Sequence, residues 1–422
     1  MAAGASSARR SNVLNITFIA VLALGIFLRL PPELFREGGS LRSLGFLHPD
    51  PAFQQVGFDE GLYRSYVNNV IRGGLSSYPD IVDHYIELQR TLTGSILPPM
   101  RFFYIFAAYL WHQLFGTDAL LSLHYVASLF GVVGFVLGVI FAWRLKGYPA
   151  AVAISALLAF APTQIHMSQH ALVDGVFAFW AILNLWLLWE NLRAPRDWRW
   201  LTPFIFSLAF MVMTKENAAF VYFALLTLLA VNRWLHFGEI TRELLACMLI
   251  GPLIGVVVLV TLAGGVGTLV TTYQLSVGHN YQLPYAIKTG DGPWHRYIVD
   301  LLLVSPLVTL LALAAVFRLQ RTQKVEQFVC LFIASSYLVM CNLKYGMNLR
   351  YANMWDMPLR VLAFAALASL TLNLRRYRTM VLAGAVVLVC AVELRQYLIL
   401  FVQFPLYELV SEGLLRALKI LK

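Results

Sequence analysis

The amino-acid sequence predicts an all-α polytopic membrane protein, and three observations support this fold class. Hydrophobic residues make up 59% of the 422 positions and charged residues only 13%, which is roughly half the charged fraction of an average soluble domain. The mean hydropathy is +0.69. Apolar runs of about the length that crosses a bilayer recur along the whole chain. Together these features exclude a soluble enzyme, a secreted disulfide scaffold and a disordered protein.

Eleven apolar runs are predicted to span the membrane as helices. A spanning helix needs about 20 mostly apolar residues, and several of these runs are somewhat shorter. The predicted spans cover residues 13–30, 119–143, 149–166, 172–190, 200–213, 217–232, 244–263, 297–317, 326–342, 355–373 and 379–400.

The segment 98–116 decides how the chain is threaded through the membrane. It is apolar on nearly every face, but it begins with Pro98-Pro99 and ends at Gly116, as a short interfacial helix would. If it lies in the interface and the N-terminus is cytoplasmic, thirteen lysines and arginines occupy the short cytoplasmic loops and three occupy the short outer loops. Treating it as a twelfth span would reverse this distribution, against the positive-inside rule.

The net charge of +10 is explained by this topology. The whole surplus lies on the predicted cytoplasmic segments, whereas the outer side carries equal numbers of cations and acids. The positive charge is therefore a topology signal, and no nucleic-acid partner is predicted. We expect the N-terminus in the cytoplasm and the C-terminus outside.

The chain is predicted to form one transmembrane domain over residues 1–400 and a short tail. Two outer segments are too long to be simple connections, namely the first outer loop, 31–118, and a second loop, 264–296. In the tail, 401–422, charged residues recur every three or four positions with leucines between them, which is typical of an amphipathic helix anchored on the outer membrane surface. These residues are Glu408, Glu412, Arg416 and Lys419.

An acidic pair opens a helical pattern in the first outer loop, whose sequence there is GFDEGLYRSYVNNVIRGG. Asp59 and Glu60 come at the start of this pattern, and Gly73-Gly74 ends it. Carboxylates at a helix N-terminus commonly cap exposed N–H groups and oppose the helix dipole. A carboxylate beside the membrane is also suited to act as a general base on a hydroxyl group. The spacing leaves both roles open.

A second set of polar residues lies in the outer turn QIHMSQHALVDGVF. His166, His170 and Asp174 are four residues apart, so they would share one face of a continuous helix. Two histidines and an aspartate can bind a divalent cation, and a polar helix–loop–helix turn is the alternative interpretation. Asp174 is of interest by itself, because it begins a long apolar helix on the same side as Asp59.

Three cations are expected at the outer face. Lys215, in MTKENAAF, can snorkel, pair with Glu216, or bind an anion near the bilayer surface. Arg350-Tyr351, in LRYANMWDMP, offers a second cation at similar depth, and Arg101 follows Pro98-Pro99. Arginine matches phosphate oxygens with two parallel hydrogen bonds, and lysine supplies a point charge. Cations and carboxylates on one membrane face suit chemistry with a phosphate leaving group at a lipid headgroup.

Taken in order, several segments resemble the GT-C superfamily of membrane glycosyltransferases. The branch that they resemble most is the protein O-mannosyltransferase, aminoarabinose-transferase and RgtA/B/C/D-like group. The resemblance extends over roughly residues 13–365. The matching segments are LRLPP, FDEGLYRSYVNNVIRGG, PPMRFFYIFAAYLWHQLFG, HALVDGVFAF, TKENA and LRYANMWDMP.

This resemblance implies a GT-C-like bundle and a reaction at the outer membrane face. Such enzymes transfer a sugar, usually with inversion, from a polyprenyl-phosphate carrier to a hydroxyl-bearing acceptor. By resemblance, Asp59 would be the base that deprotonates the acceptor, and Glu60 would support its loop. Arg350 and Lys215 would bind the carrier phosphate. Asp174 would be a second acid that contacts the acceptor, the sugar or a divalent cation.

The resemblance is incomplete in the first outer loop. The aminoarabinose branch has a lysine before the double proline, where this chain has Leu97. Arg101 is the candidate to replace that charge, and Tyr351 is grouped with the phosphate-binding residues. No cofactor is implied with certainty. The expected partners are the lipid-linked donor, a glycolipid, polysaccharide or protein acceptor, and the bilayer of a bacterial inner membrane.

Two other functions remain open at this point. A lipid flippase or transporter would share a basic outer groove and a lipid-sized cavity, but it is expected to show repeat symmetry or a charged path through the bilayer. Neither feature is evident in the sequence. A non-catalytic scaffold would have no need for the acidic pair Asp59-Glu60 beside the membrane.

Overall fold

The computed structural model describes residues 2–35, 38–49, 57–344 and 346–421, and within these ranges the chain is helical, with no strand. This agrees with the predicted all-α class. The helices are α1 (Ala2–Leu28), α2 (Phe58–Gly73), α3 (Tyr78–Thr91), α4 (Phe102–Phe115), α5 (Ala119–Lys146), α6 (Tyr148–Ala159), α7 (Pro162–Gln169), α8 (Val173–Arg193), α9 (Trp198–Thr214), α10 (Ala218–Leu235), α11 (Arg242–Leu262), α12 (Val266–Asn280), α13 (Pro284–Thr289), α14 (Arg296–Val304), α15 (Pro306–Phe317), α16 (Lys324–Met340), α17 (Asp356–Leu370), α18 (Arg378–Tyr397) and α19 (Ser411–Ala417).

Among the described residues, five helical segments are long and apolar enough to cross a membrane. They are α5, α8, α10, α11 and the segment Arg378–Gln403, which extends α18 by a π-helical turn. The bent pair of α6 and α7 would make a sixth. The predicted total of eleven spans is therefore not established, because several of the other predicted spans form shorter helices, such as Asn12–Leu28 and α15.

Two predicted continuous spans are broken by proline. The run 149–166 divides into α6 and α7, whose axes differ by 57°, and Pro162 begins the second helix. The run 297–317 divides into α14 and α15 in the same way at Pro306. Proline lacks the N–H that would continue the helix and clashes with the preceding turn, whereas it is well accommodated at the first helical position.

The break after α6 is stabilised by two buried arginines. Arg29, at the end of α1, donates hydrogen bonds to the carbonyls of Leu158 (2.7 Å) and Ala159 (3.2 Å). Arg360 of α17 donates to the carbonyl of Leu157 at 2.8 Å. These carbonyls lie in the last turn of α6, where the regular helical hydrogen bonds end. The two arginines therefore position the turn that leads to α8. Arg360 is itself neutralised by Asp356 and Glu393.

The loops predicted to be cytoplasmic meet at one end of the bundle. The contacts join α5 to α8, α5 to α16 and the α8–α9 loop to α11. They are the pairs Arg144–Glu190, Lys146–Glu326 and Arg196–Glu243. The outer segments meet elsewhere, around Arg350. The alternation of the chain across the membrane stays a prediction.

The predicted amphipathic helix over 401–422 is only partly present. After the π-helical turn Leu398–Gln403, the chain is non-helical until α19, which has seven residues. The backbone N–H of Leu349 donates to the carbonyl of Leu409 at 3.2 Å, and Leu409 is fully buried. The tail therefore packs into the protein instead of only lying on its surface, because its apolar residues find partners in the bundle.

Candidate functional site

Four separate segments bring charged side chains together at the predicted outer end. The N-terminus of α2 supplies Asp59, and the start of α8 supplies Asp174. The turn between α9 and α10 supplies Lys215, and a 3₁₀ turn, Leu349–Trp355, supplies Arg350. Because these segments are far apart in sequence, only the packing of the bundle makes them one site.

The 3₁₀ turn that carries Arg350 is fixed at both ends. At its start, the side-chain oxygen of Asn348 accepts a hydrogen bond from the backbone N–H of Arg350 at 3.1 Å. Further along, Gln164 of α7 donates to the carbonyl of Asn353 at 3.0 Å. At its end, the indole of Trp355 donates to the hydroxyl of Ser336 at 2.8 Å. The turn therefore holds Arg350 in a defined position.

Arg350 is the centre of the cluster and is buried among carboxylates. Its Nη2 donates a hydrogen bond to Oδ2 of Asp59 at 2.6 Å. Its Nε lies 3.7 Å from Oδ2 of Asp174, and its Nη1 lies 3.4 Å from Oε1 of Glu408. Only the Asp59 contact has full hydrogen-bond geometry, so Nε and Nη1 are buried polar atoms without a hydrogen-bond partner among the described residues. Such atoms are available to a ligand.

Lys215 pairs with Asp174 in the interior of the same cluster. Its ammonium group also lies 3.9 Å from the centre of the Tyr351 ring, and the guanidinium carbon of Arg350 lies 5.4 Å from that ring. A tyrosine face attracts cations within about 6 Å, so Tyr351 helps to hold two positive charges side by side. Burial lowers the pKa of Lys215 to about 8, although the charge of Asp174 opposes this effect.

Arg101 belongs to a neighbouring pair. Its guanidinium group binds Glu216 through two nitrogens, with Nε 3.1 Å from Oε2, and its Nη1 donates to the hydroxyl of Tyr63 at 2.6 Å. Glu216 is thus paired with Arg101, whereas Lys215 pairs with Asp174 instead of its chain neighbour Glu216. Arg101 is linked to the cluster through Glu216, the chain neighbour of Lys215. Its Nε, Nη1 and Nη2 atoms all have hydrogen-bond partners.

Asp59 and Glu60 have different roles, which the sequence could not separate. Oε2 of Glu60 accepts from the backbone N–H of Gly57 at 2.8 Å, at the N-cap of α2. Its Oε1 accepts from the backbone N–H of Ala171 at 2.8 Å and contacts Nδ1 of His170 at 3.3 Å. Glu60 therefore caps α2 and joins it to the turn before α8. The carboxylate of Asp59 instead faces Arg350.

Electrostatics support this role of Glu60. Burial by itself would raise the pKa of the Glu60 carboxyl group, but the hydrogen bond and charge of His170 and the bond from Gly57 oppose it and lower the pKa to about 2. Hydrogen bonds to the charged form of an acid favour that form. Glu60 is therefore ionised at physiological pH and unsuited to take up a proton.

His166, His170 and Asp174 do not share one helix face, because α7 ends at Gln169 and α8 begins at Val173. Nε2 of His166 lies 3.1 Å from the carbonyl oxygen of Tyr407. His170 faces Glu60, and Asp174 faces Lys215. In the described part of the chain, no group of three histidine, cysteine or acidic side chains is placed to hold a metal ion. The three residues present do not fit the divalent-cation site that their spacing suggested.

Sequence reasoning missed the contribution of the C-terminal tail. Glu408 faces Arg350 and accepts a hydrogen bond from Nδ2 of Asn348 at 2.6 Å. The hydroxyl oxygen of Tyr407 lies 2.3 Å from where a Cβ on Gly57 would be, so a larger residue there would displace the Tyr407 ring. One signal was available: within the apolar stretch QFPLYELV, Glu408 is the only acidic residue. The spacing of charges in the tail instead predicts that Glu408 lies on an amphipathic surface helix.

The site thus holds more carboxylates than cations. Arg101, Lys215 and Arg350 each contact at least one acid. An anionic ligand that binds these cations competes with their carboxylates, and Arg350 offers it two buried nitrogens without a hydrogen-bond partner among the described residues. The acids that contact these cations are Asp59, Asp174, Glu216 and Glu408.

A known protein family matches the part of the chain that contains several residues of the site. The model of the family described as dolichyl-phosphate-mannose-protein mannosyltransferase matches residues 65–269. The matched range contains Arg101, Asp174 and Lys215, but neither Asp59 nor Arg350. No curated protein matches the chain in sequence.

Solved structures show where the fold recurs. ArnT from Cupriavidus metallidurans in the apo state is 15% identical, with a TM-score of 0.52 over 97% of this chain and 76% of ArnT. ArnT bound to undecaprenyl phosphate gives 15% identity and a TM-score of 0.54 over 96% and 76%. The oligosaccharyltransferase AglB from Archaeoglobus fulgidus, in complex with an inhibitory peptide and a dolichol-phosphate, gives 10% and 0.57 over 92% of this chain and 55% of AglB. This chain therefore spans about half the length of AglB.

These comparisons define the fold of the protein. The fold is that of the GT-C superfamily of membrane glycosyltransferases, as the resemblance in the sequence predicted. The family match covers the segments that supply Asp174 and Lys215, whereas Asp59 and Arg350 lie outside it.

Proposed function

We propose that the protein transfers a sugar from a polyprenyl-phosphate carrier to a hydroxyl group of an acceptor, on the periplasmic face of a bacterial inner membrane. One observation carries this proposal: Arg350 contacts both Asp59 and Asp174 in a buried cluster. A phosphate-binding cation thus lies next to a carboxylate that can act as a base. The neighbours solved with undecaprenyl phosphate and with a dolichol-phosphate support this class of donor.

Binding of the carrier begins with an exchange of partners. The carrier phosphate takes the place of carboxylates around Arg350, using nitrogens that lack a hydrogen-bond partner. Lys215 adds a second positive charge, which Tyr351 holds beside Arg350. As Arg350 turns to the phosphate, the carboxylate of Asp59 loses its hydrogen bond and becomes free to accept one from the acceptor hydroxyl.

The transfer itself is a single displacement at the anomeric carbon. Asp59 takes the proton of the acceptor hydroxyl while the hydroxyl oxygen attacks the anomeric carbon from the face opposite the phosphate. The bond between the anomeric carbon and the phosphate oxygen breaks, and its electron pair stays on the phosphate. Arg350 and Lys215 neutralise that charge. The product is a glycoside of inverted configuration together with polyprenyl phosphate.

The remaining residues position these groups. Asp174 keeps Lys215 charged and in place, and it is the second acid that contacts the sugar or the acceptor. Glu60 fixes the loop that carries Asp59. Arg101 is assigned to binding of the donor phosphate. Its guanidinium group is oriented by Glu216 and Tyr63.

One experiment separates this function from lipid transport. Purified protein is incubated with a panel of polyprenyl-phosphate sugars and hydroxyl-bearing acceptors, with and without a chelator, and the release of polyprenyl phosphate is measured. Release with at least one donor supports the glycosyltransferase. Failure with every donor would favour a flippase or transporter, and loss of release in the presence of chelator would assign a divalent cation to the reaction.

A further inference from the structure

A cavity opens between the second outer loop and the C-terminal tail. Its volume is about 360 Å³, which lies in the range of small-molecule sites. Residues from the end of α13, from α14 and from the start of α19 line it. Those used below are Lys288, Asp291, His295, Val299, Ser411 and Glu412.

The base of this cavity is built from a buried polar chain. Arg296 is only 8% exposed, and its two Nη groups donate to the backbone carbonyls of Thr289 and Asp291. Its Nε lies 3.7 Å from Oδ2 of Asp300, and the hydroxyl of Ser411 donates to Oδ1 of the same aspartate at 2.6 Å. The chain ties the loop, α14 and the tail together. The Nε atom is buried without a hydrogen-bond partner among the described residues.

The cavity wall carries donors, acceptors and apolar surface in a small space. Lys288 and His295 supply positive or donating groups, whereas Asp291 and Glu412 supply acceptors. Val299 adds an apolar patch. A single phosphate is disfavoured because the two acids would repel it. An acyl chain is disfavoured because the polar groups of the wall would be left without hydrogen-bond partners. Alternating donors and acceptors beside apolar surface suit a polyhydroxylated ligand, which presents hydroxyl groups in several directions and C–H groups between them.

The cavity lies close in the fold to the segment that carries Arg350. The backbone N–H of Met347 donates to the carbonyl of Gly290 at 2.9 Å, and that of Leu349 donates to the carbonyl of Leu409 at 3.2 Å. The segment that leads into the turn of Arg350 is therefore hydrogen-bonded to residues that adjoin both walls of the cavity. Glu408, which faces Arg350, lies three residues before Ser411 in the same tail segment.

We propose that this cavity is a subsite for the carbohydrate part of the acceptor, next to the sugar that receives the transfer. The proposal rests on the proposed function, because it presupposes an acceptor that binds beside Arg350 and Asp59. It narrows the acceptor to a saccharide-bearing molecule, such as a glycolipid or polysaccharide, and it gives the tail a role in acceptor recognition.

The test measures saccharide binding directly, without turnover. Full-length protein in lipid nanodiscs is titrated with free mono- to tetrasaccharides of neutral, amino-sugar and uronic-acid type, and binding is followed by saturation-transfer NMR. We expect at least one of these classes to bind. Val299→Trp, which fills the cavity, should weaken that binding at least about tenfold. Val270→Trp, at an exposed valine of α12, is the control and should leave it unchanged.

A milder variant covers the case in which Val299→Trp does not fold. Glu412 is exposed, and Glu412→Gln should weaken saccharide binding about three- to tenfold through loss of a charged acceptor. Absence of binding by every saccharide, or binding that none of the cavity variants weakens, would overturn the subsite.

A different result would contradict the proposed function and not the subsite. If a saccharide binds and Val299→Trp abolishes this binding, but no lipid-linked donor is ever cleaved, the cavity is a saccharide site and its acceptor role is overturned. If donors are cleaved but the cavity variants change neither saccharide binding nor the acceptor KM, the glycosyltransferase function is supported and the subsite proposal is contradicted.

Discussion

The guanidinium group of Arg350 donates a 2.6 Å hydrogen bond to the carboxylate of Asp59, although 291 positions separate the two residues. Arg350 also faces Asp174 and Glu408. The residue proposed to bind phosphate is therefore hydrogen-bonded to the residue proposed to act as base. Binding of the carrier and release of the base are then two results of one exchange at Arg350, and the following predictions separate them.

Asp59→Asn should lower the rate of sugar transfer by about 10²–10⁴-fold, because an amide cannot take up the proton of the acceptor. Affinity for polyprenyl phosphate should stay nearly normal, since Arg350 and Lys215 are unchanged. Transfer rates and equilibrium binding check the two statements. Asp80→Asn, at the exposed start of α3, is the control. Near-normal transfer by Asp59→Asn would remove Asp59 from the role of base.

Arg350→Ala should weaken binding of polyprenyl phosphate by about 10–100-fold, because hydrogen bonds to a charged group contribute about 1.5–3 kcal/mol. Binding to protein in nanodiscs measures the effect. Arg64→Ala, at an exposed arginine of α2, is the matched control and should bind normally. Unchanged affinity in Arg350→Ala would contradict the assignment of Arg350 to the carrier phosphate.

Glu408→Gln should tighten binding of polyprenyl phosphate about three- to tenfold. The substitution removes a negative charge 3.4 Å from Nη1 of Arg350, which competes with the phosphate, and the contact is partly exposed, so the gain is modest. The same binding titration measures it, with Glu87→Gln on the exposed face of α3 as the control. A weaker or unchanged affinity would show that Glu408 does not compete with the ligand.

Binding of the carrier should weaken as the pH rises through about 8. Burial lowers the pKa of Lys215 to about that value, so the ammonium group loses its proton there and no longer attracts the phosphate. A titration of affinity from pH 6.5 to 9.5 checks this. In Lys215→Arg the weakening should be absent over that range, because a guanidinium group stays charged. A wild-type affinity independent of pH would refute the role of this charge.

Glu60→Gln should destabilise the protein by about 1–3 kcal/mol, because Glu60 accepts hydrogen bonds from Gly57 and Ala171 that an amide satisfies less well. The pKa of Glu60 is lowered to about 2 in the folded protein, below its unfolded value of about 4.3. Its stabilising effect is thus complete above about pH 4.3 and is lost as the pH falls toward 2.

Thermal unfolding in detergent, followed between pH 7 and pH 3, tests this last prediction. The difference in Tm between the wild-type protein and Glu60→Gln should shrink as the pH falls. A difference that stays constant with pH would mean that the charge of Glu60 does not contribute to stability.

The sequence predicted the membrane class and most helices, because hydropathy and helix length are local properties. It also named Asp59, Asp174, Lys215 and Arg350 as residues of one outer site, and the structure places these four together. It did not establish the number of spans, since prolines divide two apolar runs into helices too short to be recognised separately.

Local patterns could not assign partners to the charges. By sequence, Glu216 was the neighbour of Lys215, but in the folded protein it binds Arg101. The helical spacing of His166 and His170 suggested metal ligands, but a helix break gives them other partners.

The sequence by itself determined that the chain is a helical membrane protein, and it predicted that Asp59, Asp174, Lys215 and Arg350 lie in its outer segments. Only the tertiary structure decided which acid faces which cation, and that the tail brings Glu408 to Arg350. The physical reason is that periodicity and hydropathy describe neighbours along one helix, whereas an ion pair depends on the packing of segments that lie far apart in the chain. The site is therefore a product of the bundle, and Arg350 is the residue at which its parts meet.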